Sequence, residues 1–402
     1  EDPAHPYAAD LDLFGRGSLF ERLCQARTHS GQEVLAAWLG AAAEVGELRQ
    51  RQAAVAELTP LLDLREDMAA LGAEARTAVD STTLRRWATA PPVAIPAGLR
   101  IAAAAVSAAA LAALGAWLLG PLGPTPFYLA TGAVGLLAWR ARRFTDAVLG
   151  GIGRPARDLQ TLTELFDRID GERFQCRRLA RLHERLSAGG RPPSRPIAQL
   201  RRWLEVHDSK SNVFFAPVAF YLLWDLQLAA AVEGWRRRFG TAVEEWLAAL
   251  GEMEALVSLA GYAFENPGDP FPEVVDQGPL FAARGLAHPL LPRARSVPND
   301  VALDGQRQLL VVTGSNMSGK STLLRTVGIN AALALAGAPV RAASLRLSRL
   351  AIGASIRVHD SLQDGESRFY AEIKRIRQVM DIARGAGPAL FLVDEIFDGT
   401  NS

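Results

Sequence analysis

The chain has 402 residues, 49% of them hydrophobic, with 44 Lys and Arg against 43 Asp and Glu. That length suggests two or three domains with ample apolar material for a core, and the near-zero net charge excludes a partner chosen by bulk charge alone. Cys24 and Cys176 stand far apart without metal-ligand spacing, which argues against a disulfide scaffold or zinc site and fits a reducing, cytosolic setting.

The chain begins at Glu1 rather than Met and shows no signal-peptide pattern, so it is read as a fragment at its start. Residues 10–90 read as helices: Leu19, Leu23, Leu35, Trp38 and Leu39 recur at helical spacing, and Gly31 is expected to punctuate between two segments. Composition shifts at Pro91. Residues 101–119 carry no charged side chain, "GPLGPTP" makes a turn, and a second apolar run extends from Phe127 to Trp139. At about 1.5 Å per residue the first run is roughly 28 Å long, close to a bilayer core. Arg85, Arg86 and Arg100 precede the pair, and Arg140, Arg142 and Arg143 follow it. A hairpin puts both basic flanks on one side, as expected for a cytoplasmic body tethered to the inner membrane. The alternative is a buried or DNA-clamping helical hairpin.

Residues 144–263 are again helical, broken by "GGRPPSRP" at 189–196, and "AVEEWLAALGEMEALVSLAGYAF" reads as an amphipathic helix. From Pro267 onward Pro and Gly rise, and the short runs "QLLVVTG" and "PALFLVDE" read as strands of a parallel sheet alternating with helices. The organisation expected is residues 1–95 and 144–266 as two parts of a helical core, 96–143 as the hydrophobic hairpin, and 267–402 as an α/β domain.

That last domain carries chemistry. Gly314, Gly319, Lys320 and Ser321 complete the pattern Gly, four residues, Gly-Lys-Ser, between an expected strand (Leu309–Val312) and an expected helix. Glycines let backbone amides turn onto phosphate oxygens, and a helix N-terminus adds partial positive charge. Lys320 would reach the β- and γ-phosphates of ATP, and the Ser321 hydroxyl would take a place on Mg2+. The second apolar run ends in Asp394 and Glu395, at the end of a strand that points to the phosphates. Asp394 suits the magnesium and Glu395 suits a general base for the attacking water.

These residues resemble a known family. "LLVVTGSNMSGKSTLLRTVGINAALALAGAPV" is similar to the ATPase domain of MutS-like DNA mismatch repair proteins, with Ser315, Asn316, Met317, Ser318 and Thr322 completing the loop. "HPLL" with "VPND", "DGESRFYAEI" and "LFLVDEIFDGTNS" resemble the lead-in segment, signature loop and acidic strand of that domain. "DLFGRGSLFERLCQARTHSGQEVLAAWL", "RQAAVAEL" and "EMEALVSLAGYAF" look like the family's helical core. The resemblance implies an α plus α/β fold: a helical core with an inserted hydrophobic hairpin, then a P-loop ATPase domain of the ABC type, incomplete at its C-terminus. It implies ATP and Mg2+ as cofactors, a homodimer, and a signature loop in which Gly365 and Ser367 act on the partner's ATP. It also implies DNA as a partner of the helical core.

The chain departs from the family in several places. Arg368 stands where threonine usually follows the signature serine, and Ser296 stands where an aromatic would stack on adenine. No mismatch-reading domain precedes the core, and Phe271-Pro272-Glu273 matches that domain's Phe-x-Glu only by coincidence. The stop at Ser402, inside the turn after the acidic strand, reads as a truncation. Basic clusters at Arg177, Arg178, Arg181 and Arg185, at Arg201 and Arg202, and at Arg236–Arg238 suit DNA phosphates, acidic lipid or a solvated face.

Overall fold

Helix starts follow side-chain caps. Ser18 accepts from the Glu21 amide to open α1 (Leu19–Leu23), Thr28 accepts from Gly31 to open α2 (His29–Gly40), and Asp80 accepts from Thr83 to open α5 (Ser81–Thr89). Between them lie α3 (Val45–Leu58) and α4 (Leu62–Ala70). The computed structural model describes residues 5–71, 80–120, 123–150, 155–186, 192–208, 216–315, 317–356, 368–385 and 387–394. The helices continue with α6 (Ala97–Leu119), α7 (Thr125–Leu149), α8 (Pro155–Asp170), α9 (Arg177–Leu186), α10 (Ser194–Asp208) and α11 (Ala216–Tyr221). The helical series is mostly as the periodicity suggests, with Leu19, Leu23, Leu35, Trp38 and Leu39 all buried.

The spine is α12 (Trp224–Glu265), 42 residues and about 63 Å long at the usual helical rise. Its second half is not amphipathic as the sequence suggests: every residue from Met253 to Ala263 is buried. A helix apolar on all sides is stable only when it is covered on all sides, and α1, α2, α3, α4 and α9 pack around it. The approach to α2 is very close. Gly31 lies inside α2 rather than between helices, and a Cβ there would sit 2.8 Å from the Glu254 Cβ and 2.8 Å from the Ala26 Cβ. Gly31 is therefore a contact point between helices rather than a helix breaker.

Glu254, the charged residue in this dry stretch, accepts from the Arg27 amide at 2.7 Å, the Thr28 amide at 3.2 Å and the Thr28 hydroxyl. Burial outweighs these donors and pushes its carboxyl up to about 7.

The C-terminal part holds two sheets. β1 (Glu273–Val275), β2 (Phe281–Leu286), β3 (Asn299–Leu303) and β4 (Ser344–Ser348) form one in the order β1-β4-β2-β3, parallel only between β1 and β4. β5 (Ala351–Ser355) and β6 (Ala389–Val393) form a second, parallel pair. The single parallel sheet expected from the apolar runs is thus divided, and most pairings in the larger sheet are antiparallel. β2 and β3 pair antiparallel, joined by residues 287–298 with a 3-10 turn at Arg293–Arg295. α13 (Lys320–Ala336) packs against β5 and β6 and ends at Gly337 in a left-handed turn, φ +94°. There the Ala338 amide reaches back to Leu333 and the Gly337 amide to Ala334. α14 (Arg368–Ala383) packs on β5. One continuous apolar core runs from Tyr7 through the helices to Leu392.

Two outcomes follow. Gly31→Ala should destabilise the fold by about 1–3 kcal/mol in urea unfolding, as overpacking does, while Gly234→Ala, with open space around it, should stabilise by roughly 0.5–1 kcal/mol. Because folding raises the Glu254 carboxyl, the native state keeps a proton that the unfolded chain has released between pH 4.5 and about 7. Stability should fall as pH rises through that window, on the order of 3 kcal/mol in total, and Glu254→Gln should remove that fall.

Candidate functional site

The loop Gly314–Thr322 leads into α13, whose first residue is Lys320. Met317 (φ +65°) and Gly319 (φ +91°) both take the left-handed backbone conformation, which is a common component of anion-binding nests. A Cβ at Gly314 would come to 2.8 Å from the Ser318 hydroxyl oxygen, so a side chain there would displace that hydroxyl. The Ser318 amide closes a turn on the Ser315 carbonyl at 3.2 Å. Lys320 curls over the loop and donates its ammonium to the Gly314 carbonyl at 2.9 Å and the Ser315 carbonyl at 3.3 Å. Ser321 is half-buried and Thr322 exposed in the first helical turn. Asn316 lies outside the described residues.

The expected strand before the loop is absent. Leu309–Val312 form no ladder; Leu309 is 81% and Val311 69% exposed. Their apolar side chains line one wall of a cleft of about 1010 Å³, with Phe281, Val327, Leu390 and Leu392 on other walls. The segment flanks the two-stranded sheet without pairing to it, so the phosphate loop is held by α13 rather than by a strand.

β6 is the expected acidic strand. Asp394 follows its last residue, is half-buried, and donates its amide to the Ser355 carbonyl at 2.9 Å. Asp394 and Lys320 line the same cleft, so the fold brings the loop cation and the acidic strand end together. Glu395, Gly365 and Ser367 lie outside the described residues. Among the described residues no cluster of three or more His, Cys, Asp and Glu forms a ready-made metal site. A divalent ion bridged between one hydroxyl, one carboxylate and phosphate oxygens needs no such cluster. Glycines at 314 and 319, a helix N-terminus and a lysine head held only by two loop carbonyls fit a polyphosphate with its magnesium.

Other residues singled out in the sequence have different surroundings. The Ser296 hydroxyl accepts from the His288 amide at 3.0 Å and braces a turn. Glu273 pairs with Arg346 across β1 and β4, a structural ion pair. The basic clusters are largely neutralised: Arg178 pairs with Glu252 and Glu47, Arg185 with Glu252, Arg201 with Glu205, and Arg236 with Glu233 in the core. Arg177, Arg181, Arg202 and Arg238 stay exposed. Both cysteines are free thiols.

Sequence reasoning missed a strap of residues 5–13 that runs between α2 and the two sheets' helices. The Tyr7 hydroxyl donates to the Leu39 carbonyl at the end of α2, and the Pro6 carbonyl accepts from Ala354 in β5. Asp10, 2% exposed, accepts from the Ile356 amide at 2.8 Å and from Arg375 of α14 at 2.6 Å. Arg375 also donates to the carbonyls of His5 and Ala354. Asp12 lies 3.6 Å from Arg325, two turns into α13, and Leu11 packs on Gly328. A lone Asp among Ala and Leu carries no pattern that marks it for this role.

The comparisons with known proteins bear on the same region. Residues 310–402 match the family model described as MutS domain V. The "DNA mismatch repair protein MutS" of Desulforamulus reducens is 34% identical over 168 residues, covering 40% of this chain and 19% of that protein. The "DNA mismatch repair protein MutS 1" of Halobacterium salinarum is 39% identical over 155 residues, 38% of this chain and 17% of its own length. The "DNA mismatch repair protein MutS" of Chlorobium phaeobacteroides is 35% identical over 161 residues, 39% and 18% respectively. The chain thus spans about a fifth of the length of the curated relatives it matches.

Arg375→Ala should cost about 3–5 kcal/mol in urea unfolding, because it strips the buried Asp10 carboxylate of its guanidinium. Asp10→Asn with Arg375→Gln together should recover part of that loss. An unchanged unfolding midpoint in Arg375→Ala would show the strap to be incidental.

Proposed function

We propose, from the premise that the C-terminal part of this chain belongs to the MutS family, that the protein is an ATPase that couples nucleotide state to its helical core, with DNA as the core's mismatch-repair-like partner. The observation that carries the reading is the cleft shared by Lys320 and Asp394 beneath an amide-lined loop at a helix N-terminus. The names of the relatives supply the DNA, and Arg177, Arg181, Arg202 and Arg238 are the cations left exposed to meet phosphates.

In this reading Gly314, Ser315, Asn316, Met317, Ser318, Gly319 and Thr322 wrap the phosphates with backbone amides. Lys320 exchanges its two loop carbonyls for the β- and γ-phosphate oxygens, a trade of neutral acceptors for charged ones that favours ATP. Ser321 and Asp394 hold Mg2+, which neutralises phosphate charge as it develops. Glu395 takes a proton from the attacking water. Gly365 and Ser367 complete the ATP site of a second copy, so that ATP favours a homodimer by mass action.

A second reading is favoured by one observation. α6 and α7 expose large apolar side chains, and α6, 23 residues long, contains an 18-residue stretch with a mean hydropathy of 2.0. α12 passes the same length and composition test but is 83% buried over the tested window, as a core helix is. In this second reading the ATPase would be a cytoplasmic switch tethered to the inner membrane, acting on a protein or lipid partner without mismatch recognition.

Lys320→Ala should lower ATP affinity or turnover at least about tenfold, or about 1.4 kcal/mol. Glu395→Gln should keep ATP binding while slowing hydrolysis roughly 100-fold or more, and should sediment as a dimer with ATP and Mg2+ but not without. Normal affinity and turnover in Lys320→Ala would remove the site assignment. DNA binding that is indifferent to salt would remove the phosphate contacts and favour the second reading.

A further inference from the structure

The hairpin is packed inside out for a protein domain in water. Its interior faces carry mostly small or β-branched residues, Ala103, Ser107 and Ala110 on α6 and Val134, Ala141, Thr145 and Val148 on α7, all buried. Its large apolar side chains point outward: Ile101 is 70% exposed, Leu119 93%, Leu129 72% and Trp139 72%. A soluble domain buries its large residues, whereas helices in lipid approach each other through small ones.

A third element belongs to the same lobe. α11 has no buried residue, and Val218 and Phe220 are exposed beside the hairpin. The chain carries no charge between Lys210 and Asp225. α11 lies along α7: Phe220 meets Gly135, the Tyr221 ring is 5.7 Å from Phe127, and the Tyr221 hydroxyl is 3.2 Å from that of Thr131. The turn into α12 is locked to the hairpin by Leu223, which accepts a left-handed backbone (φ +48°) while its side chain is buried with Ala103, Ala110 and Val134. A non-glycine residue holds that conformation only where its surroundings compensate.

The gap between α7 and the α11–α12 turn, about 640 Å³, grades from apolar walls at Ala138, Phe220 and Leu223 to charged ones at Arg142, Asp146 and Asp225. That gradient runs in the same sense as a lipid, tail to headgroup. Measured from the tip, Arg140 stands about 24 Å down α7 and Arg100 about 30 Å down α6, at the usual helical rise. Trp117, Phe127 and Tyr128 cluster near the tip, and Trp139 sits beside Arg140. Aromatic residues at both ends of an apolar span, with arginines at one, match the two interfaces of a bilayer.

We infer that α6, α7 and α11 form one bilayer-embedded lobe, with α11 as its third apolar element, and that it takes a membrane rich in anionic lipid against Arg100, Arg140, Arg142 and Arg143. The inference rests on the tethered reading and adds to it. The lobe is joined directly to the spine helix, through Leu223 buried between α6 and α7 and through the segment before α6 at its base. There Glu233 accepts from the Val93 amide and Arg236 donates to the Pro91 carbonyl.

The test is flotation of the full chain, reconstituted from detergent, with vesicles of phosphatidylcholine alone or with phosphatidylglycerol, after alkaline washing. The wild type should float with both and better with phosphatidylglycerol. Leu118→Arg with Leu129→Arg at the tip, and Val218→Arg with Phe220→Arg on α11, should each lower the bound-to-free ratio at least about tenfold. Leu62→Arg, an exposed position on α4, should change nothing. Circular dichroism in detergent checks that each variant is folded. As a second readout, Phe220→Cys in a Cys24→Ser, Cys176→Ser background should be shielded from a membrane-impermeant maleimide by vesicles and not by their absence. If the tip pair stops floating but the α11 pair floats like wild type and Phe220→Cys reacts freely, the third element is wrong while the tether stands. If the wild type stays with the soluble fraction, as a monomer or as a discrete oligomer that covers the lobe with a second copy, both fall.

Discussion

A charged contact buried at the edge of the apolar core ties the N-terminal strap to the C-terminal elements. Asp10 and Arg375 meet at 2.6 Å, with Asp10 almost wholly out of water. Removing a carboxylate from water is costly and is offset only if guanidinium and backbone donors reach it in the right geometry. Here they do, and each donor comes from a different element: Arg375 from α14, the Ile356 amide from the end of β5. The strap that carries Asp10 is in turn tied to α2 by His5 and Tyr7. α2 lies against the spine helix so closely that Gly31 and Gly251 admit no side chain. A displacement of α13 or α14 therefore has a short route of unyielding contacts to the helical core. This is the physical basis on which the proposed coupling of nucleotide state to the core rests.

Much of the helical part was legible because burial there follows the helix period. The phosphate loop was legible because Gly314, Gly319 and Lys320 are demanded by backbone geometry and charge, both local properties. β6 was legible because a run of apolar residues ending in Asp394 has few alternatives. The run Leu309–Val312 has the same look and is not a strand, because ladder pairing is a property of two segments and the sequence of one cannot supply it. The same limit hid the mixed sheet. Gly31 misled for a related reason: glycine marks a turn when the backbone needs freedom and a contact when a neighbour needs space, and only the neighbour, Glu254, tells them apart. Asp10 and Arg375, more than 300 residues apart, were invisible for want of any local pattern. Glu395 was read from its place beside Asp394 at the end of the acidic run, while Gly365 and Ser367 rest on the family resemblance alone.

Two hydrophobic solutions coexist in one chain. Around the second half of α12 large residues face inward and every surface is covered. Around α6 and α7 alanine, serine, threonine and valine face inward, while Ile101, Leu119, Leu129 and Trp139 face out. Water expels large apolar residues, whereas lipid accepts them and leaves tight van der Waals packing to select small ones; the proposed membrane tether rests on that contrast. The basic clusters read differently once folded as well, since Glu47, Glu233 and Glu252 take up several of the arginines that looked free in the sequence.

The central claim is that nucleotide at the Lys320–Asp394 cleft is felt in the helical core through the strap. Amide hydrogen exchange of the Glu395→Gln chain, with and without ATP and Mg2+, measures this most directly. The account predicts altered protection at the loop amides, at Ala354 and Ile356 where the strap is bound, and along α2. It also predicts that Arg375→Ala keeps the change at the loop and loses it in α2. Protection that changes at the loop alone in the intact chain, or that still reaches α2 in Arg375→Ala, would contradict it.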